Sequence, residues 1–167
     1  MNARMADFLA LEAKNEPFHH IHGAGNAGYP RLLAALAEKG VNLSAHPALQ
    51  VREYIYDMAL VMRAADLVVS RAGASTISEL TALGVPAVLV PSPNVTNDHQ
   101  TKNARALEEA GAAALLPEKD ATPQALFQVC CGILHDPARQ REMAGNMAAL
   151  GVPDAAERIL DTVRALL

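Results

Sequence analysis

With 167 residues, 51% of them hydrophobic and 19% charged, the chain has the composition of one folded domain and not of a disordered segment. A domain of this size buries about 70% of the surface its unfolded chain would expose, enough for a true core. A net charge of −4 argues against nucleic acid as the main partner, since phosphate backbones call for a basic face. A small anion held by a few local donors stays compatible with that charge.

The opening Met1-Asn2-Ala3-Arg4 lacks the apolar core of a signal peptide, and no stretch approaches the ~20 apolar residues of a membrane span. A cytoplasmic location is expected, with any membrane contact peripheral and not encoded in this chain. Cys130 and Cys131 are adjacent, which rarely suits disulfide geometry, and two cysteines make no metal set. They read as small apolar residues on a helix.

In chain order, residues 2–14 carry Met5, Phe8, Leu9 and Leu11 at helical spacing. Residues 18–22 form a short strand candidate closed by Gly23-Ala24-Gly25. Residues 29–39, with Leu32, Leu33 and Leu36, predict a helix stopped at Gly40. Residues 49–55 alternate as a strand, and Asp57 reads as the cap of a helix through Ala65. Leu67-Val68-Val69 is a buried strand, Ala74 to Leu83 a helix ending at Gly84, and Ala87 to Val90 another buried strand. A helix over 99–110 ends at Gly111, and Ala113 to Leu116 is a short strand. Thr122 caps a helix from Pro123 to Leu134, with proline at the favoured first position. Helices near 138–149 and 154–166 complete the chain, with no internal repeat or interdomain linker.

Strands alternating with helices predict an α/β fold with a Rossmann-like parallel sheet covered on both faces, one domain spanning 1–167. Such sheets bind ligands at the carboxyl ends of their strands. Attention therefore falls on the segments after Ile55, Val69 and Val90.

After Val69, the run Ser70-Arg71-Ala72-Gly73-Ala74-Ser75-Thr76-Ile77-Ser78-Glu79 leads from a strand into a helix start. Free N–H groups and the positive end of the helix dipole favour an anion there. Gly73 lacks the Cβ that would block close approach, Ser75 and Thr76 add hydroxyls, and Arg71 adds charge. Glu79, placed in about the first turn, could accept hydrogen bonds from a vicinal diol such as a ribose. The plain alternative is an ordinary strand–turn–helix with Ser75 as cap and Glu79 complementing the dipole.

After Val90, a turn-rich stretch packs Asp98, His99, Gln100 and Asn103 into a helix start, which would suit sugar hydroxyls. Gln suits this work because one amide both donates and accepts. The alternative is Asn97 or Asp98 as a cap with a solvated face behind. Tyr54-Ile55-Tyr56-Asp57-Met58 could offer apolar contact and backbone amides to a flat base, or be a plain strand end. His19, His20 and His22 have strand spacing, with His20 and His22 on one face, His19 on the other, and no acidic partner in the motif. No metal site and no cofactor is expected.

Taken together, these segments resemble the C-terminal domain of the MurG family, bacterial enzymes that add N-acetylglucosamine to lipid I to make lipid II. The matching positions are Tyr54-Ile55-x-x-Met58, Ala65 through Ala74, Thr76, Glu79, Gly84-x-Pro86, His99-Gln100, Asn103-Ala104 and Ala110 through Ala113. The resemblance runs from about residue 4 onward. It implies the C-terminal half of a GT-B glycosyltransferase, with UDP-GlcNAc as ligand. It implies Ile55 on the uracil, Ala74 to Glu79 lining the nucleotide with Glu79 on the ribose, and Arg71 close behind that turn. It implies Gln100, with His99 beside it, on the GlcNAc hydroxyls.

Family members begin this domain with a strand and a Gly-Gly-Ser loop that touches the diphosphate, and this chain starts just after that loop. The resemblance thus implies a domain lacking its first strand, with exposed apolar sheet edges. Catalytic residues and the lipid I site are expected on an N-terminal domain outside these 167 residues, so that the chain alone is not catalytic. Two alternatives are a non-catalytic donor-binding subunit of a split GlcNAc transferase and another UDP-sugar enzyme on the same fold.

Overall fold

The computed structural model describes residues 2–15 and 18–166; Met1, where the reading of the N-terminus begins, lies outside them. The helices are α1 (Asn2–Asn15), α2 (Tyr29–Glu38), α3 (Met58–Ala64), α4 (Ala74–Leu83), α5 (His99–Glu109), α6 (Pro123–Leu134), α7 (Pro137–Ala149) and α8 (Ala155–Ala165). The strands are β1 (His20–Gly23), β2 (Leu49–Arg52), β3 (Val68–Ser70), β4 (Ala87–Leu89) and β5 (Ala113–Leu115). Every consecutive pair of strands is separated by a helix and every strand pairing is parallel, which is the predicted α/β pattern.

The strands form two sheets, β1-β2 and β3-β4-β5. The chain divides into two compact units, one running to Met58 and including Lys119–Gly132, the other taking Ala59–Glu118 and the residues from Ile133.

In the first unit, His20 lies opposite Leu49 and Gly23 opposite Arg52. The strand expected over 18–22 starts two residues later, and the one expected over 49–55 stops at Arg52. The ladder explains the second shift. The last bond runs from Ala24 N–H to Arg52 C=O, and β1 offers no partner beyond it. α1 buries Met5, Phe8 and Leu9, one face of a helical repeat, and Phe8 meets Phe127 of α6 edge-on at 6.2 Å. Arg4 ties α1 to the start of α6 through the Ala121 carbonyl, 3.0 Å away.

The histidine motif has an acidic neighbour after all: Glu12, nearly buried, meets His20 Nδ1 at 2.7 Å. The partner comes from α1, eight residues back, where strand spacing could not reveal it. His20 and His22 share a face, with ring centroids 6.1 Å apart. His22 Nε2 is buried without a hydrogen-bond partner, and burial first, then the neighbouring His20, hold its pKa down to about 4. Cys130 is buried in α6, and burial, then Glu12 and Cys131, raise its thiol to about 12.

In the second unit β4 is the middle strand and is fully buried, with Val68, Ala87 and Ala113 level across the sheet. Its core combines Leu80, Leu89, Leu107 and Met147 with Ala72, Ala87, Ala104, Ala112 and Ala113. The alanines let helices approach the sheet closely while the larger residues fill the space. Gly84, at φ 66°, ends α4 in the left-handed cap that a Cβ would strain. At Gly151 a Cβ would sit 2.7 Å from the Thr81 carbonyl, so the chain leaving α7 passes against α4 with no room for a side chain. Thr122 caps α6 as expected, its Oγ1 accepting from Ala125 N–H at 3.1 Å. α8 leaves Ile159, Leu160 and Val163 exposed.

Candidate functional site

The second unit gathers the predicted polar residues at the carboxyl ends of β3, β4 and β5. β3 ends at Ser70, and Arg71-Ala72-Gly73 leads into α4. Gly73 is the N-cap, in extended conformation and with no side-chain cap, so the first N–H groups of α4 have no partner from that position. Ser75 is therefore not the cap; it lies inside the first turn and is exposed. Apart from its own chain neighbours, no atom of the described residues lies within 4 Å of where a Gly73 Cβ would be. Its φ of −71° suits any residue, so neither strain nor internal crowding calls for glycine. The free space in front of an uncapped helix start is what an approaching anion needs.

Ala74, Ser78 and Glu79 are exposed, and Thr76 and Ile77 half-buried. Ser78 Oγ donates back to the Ala74 carbonyl at 3.0 Å. Glu79 stands early in the second turn of α4, which opens at Ala74 as expected. It lies beyond the first turn, where a charge complements the helix dipole most strongly.

Arg71 does not project freely. Its Nη1 donates to the carbonyls of Val90 at 3.0 Å and Pro91 at 3.1 Å, and pairs with Glu118. The guanidinium thus joins three loops at the sheet's carboxyl edge.

The segment after β4 contains two consecutive non-glycine residues in the left-handed region, Asn97 at φ 55° and Asp98 at φ 50°. Such a pair costs energy and persists only when held by its surroundings. Asp98 occupies the N-cap position of α5 without capping it; its Oδ1 accepts instead from Thr101 Oγ1 at 2.6 Å. His99 Nδ1 lies 2.8 Å from the Thr96 carbonyl, so Nδ1 carries the hydrogen and Nε2 is left outward. Gln100 Oε1 accepts from Ser92 N–H at 2.9 Å, which leaves its NH2 group as the available end. Asn103 Nδ2 donates to the Ala72 carbonyl at 3.2 Å, bracing the turn before α4.

Ile55 belongs to the other unit, where it is buried and its Cδ1 covers Gly23. Its neighbours Tyr54 and Tyr56 are exposed and meet edge-on at 4.9 Å. Sequence reasoning missed Glu118 and Ser92. Glu118 follows β5 by three residues, so the rule about strand carboxyl ends would have found it had it been applied to β5 as well. Among the described residues no group of three or more His, Cys, Asp or Glu could hold a metal ion, and no helix is long and apolar enough to cross a membrane.

An uncapped helix start and convergent polar side chains at the carboxyl edge of a parallel sheet define a Rossmann-like domain of the α/β class. The model for the glycosyltransferase family 28 C-terminal domain matches residues 2–159, and the chain belongs to that family. It is 40% identical to the UDP-N-acetylglucosamine–N-acetylmuramyl-(pentapeptide) pyrophosphoryl-undecaprenol N-acetylglucosamine transferase of Acetivibrio thermocellus, over all of this chain and 44% of that protein. The enzyme so named from Listeria monocytogenes serovar 1/2a is also 40% identical, over 93% of this chain and 42% of its own length. The chain therefore spans less than half the length of these curated relatives. The crystal structure of Acinetobacter baumannii MurG superposes with a TM-score of 0.82 at 32% identity, covering 98% of this chain and 45% of that one. A UDP-GlcNAc 2-epimerase from Neisseria meningitidis, at 16% identity and TM-score 0.70 over 97% of this chain and 40% of its own, shares the fold alone.

Proposed function

We propose that this chain binds UDP-GlcNAc and is the donor-binding part of a transferase that moves GlcNAc to lipid-linked muramyl-pentapeptide, lipid I, giving lipid II for peptidoglycan. The observation that carries the reading is the open space at Gly73 before the uncapped start of α4, together with a Gln100 whose oxygen is taken by Ser92 N–H so that its NH2 is the available end. The relatives' names, with 40% identity in the first of them, supply the ligand.

In this reading the N–H groups of Ala74, Ser75 and Thr76 and the α4 dipole face the nucleotide, and Glu79 takes the ribose hydroxyls. Ile77 and Ser78 complete that lining. Gln100 donates to a GlcNAc hydroxyl, with His99 beside it. Arg71 acts from behind the turn. The acceptor hydroxyl attacks the anomeric carbon, and the helix dipole stabilises the departing UDP as negative charge develops on it. The base that takes the acceptor's proton is supplied from outside this chain, as is the lipid I site. The whole enzyme works at the inner face of the cell membrane as a peripheral protein, and this chain alone is not catalytic.

Calorimetry with UDP-GlcNAc, UDP-GalNAc and UDP-glucose tests the reading. Tightest binding of UDP-GlcNAc is expected. Equal affinity for all three would overturn the assignment of the sugar, and no binding of any would overturn the site.

A further inference from the structure

We propose that Glu118 is a positioning residue of this site, acting through Arg71 and the Pro91–Ser92 peptide to hold Gln100 with its NH2 group outward. The proposal rests on the sugar-nucleotide reading above.

Two successive carbonyls, those of Val90 and Pro91, converge on the single Arg71 Nη1. A shared donor offsets their mutual repulsion, and here that donor is a cation. That cation is half-buried, and it is neutralised by Glu118, which is itself half-buried beyond β5. The Pro91 carbonyl belongs to the same planar peptide as Ser92 N–H. In a trans peptide the two point in opposite directions, so fixing one aims the other. Ser92 N–H is the group that holds Gln100 Oε1 at 2.9 Å. The order of control is therefore Glu118, Arg71, the peptide, then Gln100. Without Glu118 the guanidinium has reason to turn toward water, the peptide loses its hold, and the Gln100 amide is free to rotate its oxygen outward. Asn103, which braces Ala72 and not this peptide, lies outside the relay.

The test compares the wild-type chain with Glu118→Ala, Glu118→Gln, Gln100→Ala and the double variant Glu118→Ala/Gln100→Ala. Calorimetry reads UDP-GlcNAc and UDP separately. Glu118→Ala is expected to weaken UDP-GlcNAc about tenfold, the scale of one well-placed hydrogen bond, while UDP changes far less. Glu118→Gln, which keeps an acceptor for Arg71, restores part of the loss. On the Gln100→Ala background, Glu118→Ala adds nothing further. Equal weakening of UDP and UDP-GlcNAc, or full additivity in the double variant, would overturn the proposal.

A second readout needs no ligand. In NMR hydrogen exchange, Glu118→Ala is expected to speed exchange at Ser92 N–H while Val88, in the middle of β4, keeps its protection. Unchanged exchange at Ser92, or loss across the whole sheet, would overturn the relay. If the wild type binds no UDP-GlcNAc, the functional reading fails and takes the ligand role of Glu118 with it. Exchange at Ser92 then still decides whether the relay exists.

Discussion

The side-chain amide of Asn103 donates to the carbonyl of Ala72 over 3.2 Å, tying the first turns of α5 to the turn that opens α4. The two helix starts that face the proposed ligand are thereby held as one piece. Asn103→Ala is expected to cost about 1 kcal/mol in UDP affinity, the net value of one hydrogen bond. Asn103→Asp should cost more, since a carboxylate would face the carbonyl as a second acceptor. Calorimetry with UDP, beside urea unfolding to separate stability from binding, checks the order; Asp binding better than Ala would contradict it.

Gln100 is expected to act as a hydrogen-bond donor, because Ser92 N–H already occupies its oxygen. Gln100→Glu keeps the acceptor for Ser92 and removes the NH2 group. It should weaken UDP-GlcNAc by ~1–2 kcal/mol more than UDP, which loses part of its own affinity to the added negative charge. A substitution without effect on UDP-GlcNAc would place the sugar elsewhere.

Glu79 is exposed in the second turn of α4. If it accepts from the ribose diol, Glu79→Ala weakens UDP and UDP-GlcNAc alike, by ~1–3 kcal/mol, and 2′,3′-dideoxy-UDP binds both proteins equally. A larger loss for UDP-GlcNAc than for UDP would assign it to the sugar instead.

Gly151 is expected to resist every side chain. A Cβ there would stand 2.7 Å from the Thr81 carbonyl, a backbone atom that yields only by moving α4. Gly151→Ala should destabilise the fold by about 1–3 kcal/mol, read as a lower urea midpoint at unchanged slope. A midpoint equal to wild type would show that the chain after α7 shifts freely.

His22 makes stability depend on pH. Its folded pKa of about 4 lies below the ordinary 6.5, so between those values the unfolded chain binds the extra proton. Its contribution is fully present above about pH 6.5 and is lost as pH falls toward 4. Allowing for a ring that is only partly buried, the loss is on the order of 1–2 kcal/mol. Wild type should lose more stability between pH 7 and pH 4.5 than His22→Phe, which has no proton to gain. Equal losses would show that His22 is not what drives the change.

Much of the fold is legible in the residues taken singly. Short apolar runs such as Val68-Val69, half-buried where a buried strand was expected, and Ala87-Val88-Leu89, fully buried, announce strands, and Gly84 marks a helix end, because each property is local to a few residues of backbone. The segment after β3 could likewise be picked out, since a glycine turn before a helix start has the same physical meaning wherever the chain then goes. Strand ends were less legible: β2 stops at Arg52 because β1 offers no partner beyond, a fact about another segment.

What only the tertiary structure decided is where the hydrogen bonds go. By residue type alone Arg71 offers positive charge to an anion, yet its partners lie 19, 20 and 47 residues away and already engage it. Gln100 could have offered either end of its amide, and a backbone N–H eight residues back chose which. Residue type and spacing set the chemistry each position can perform. Packing brings distant loops to one sheet edge and settles which of those capacities is already occupied and which is left for a ligand.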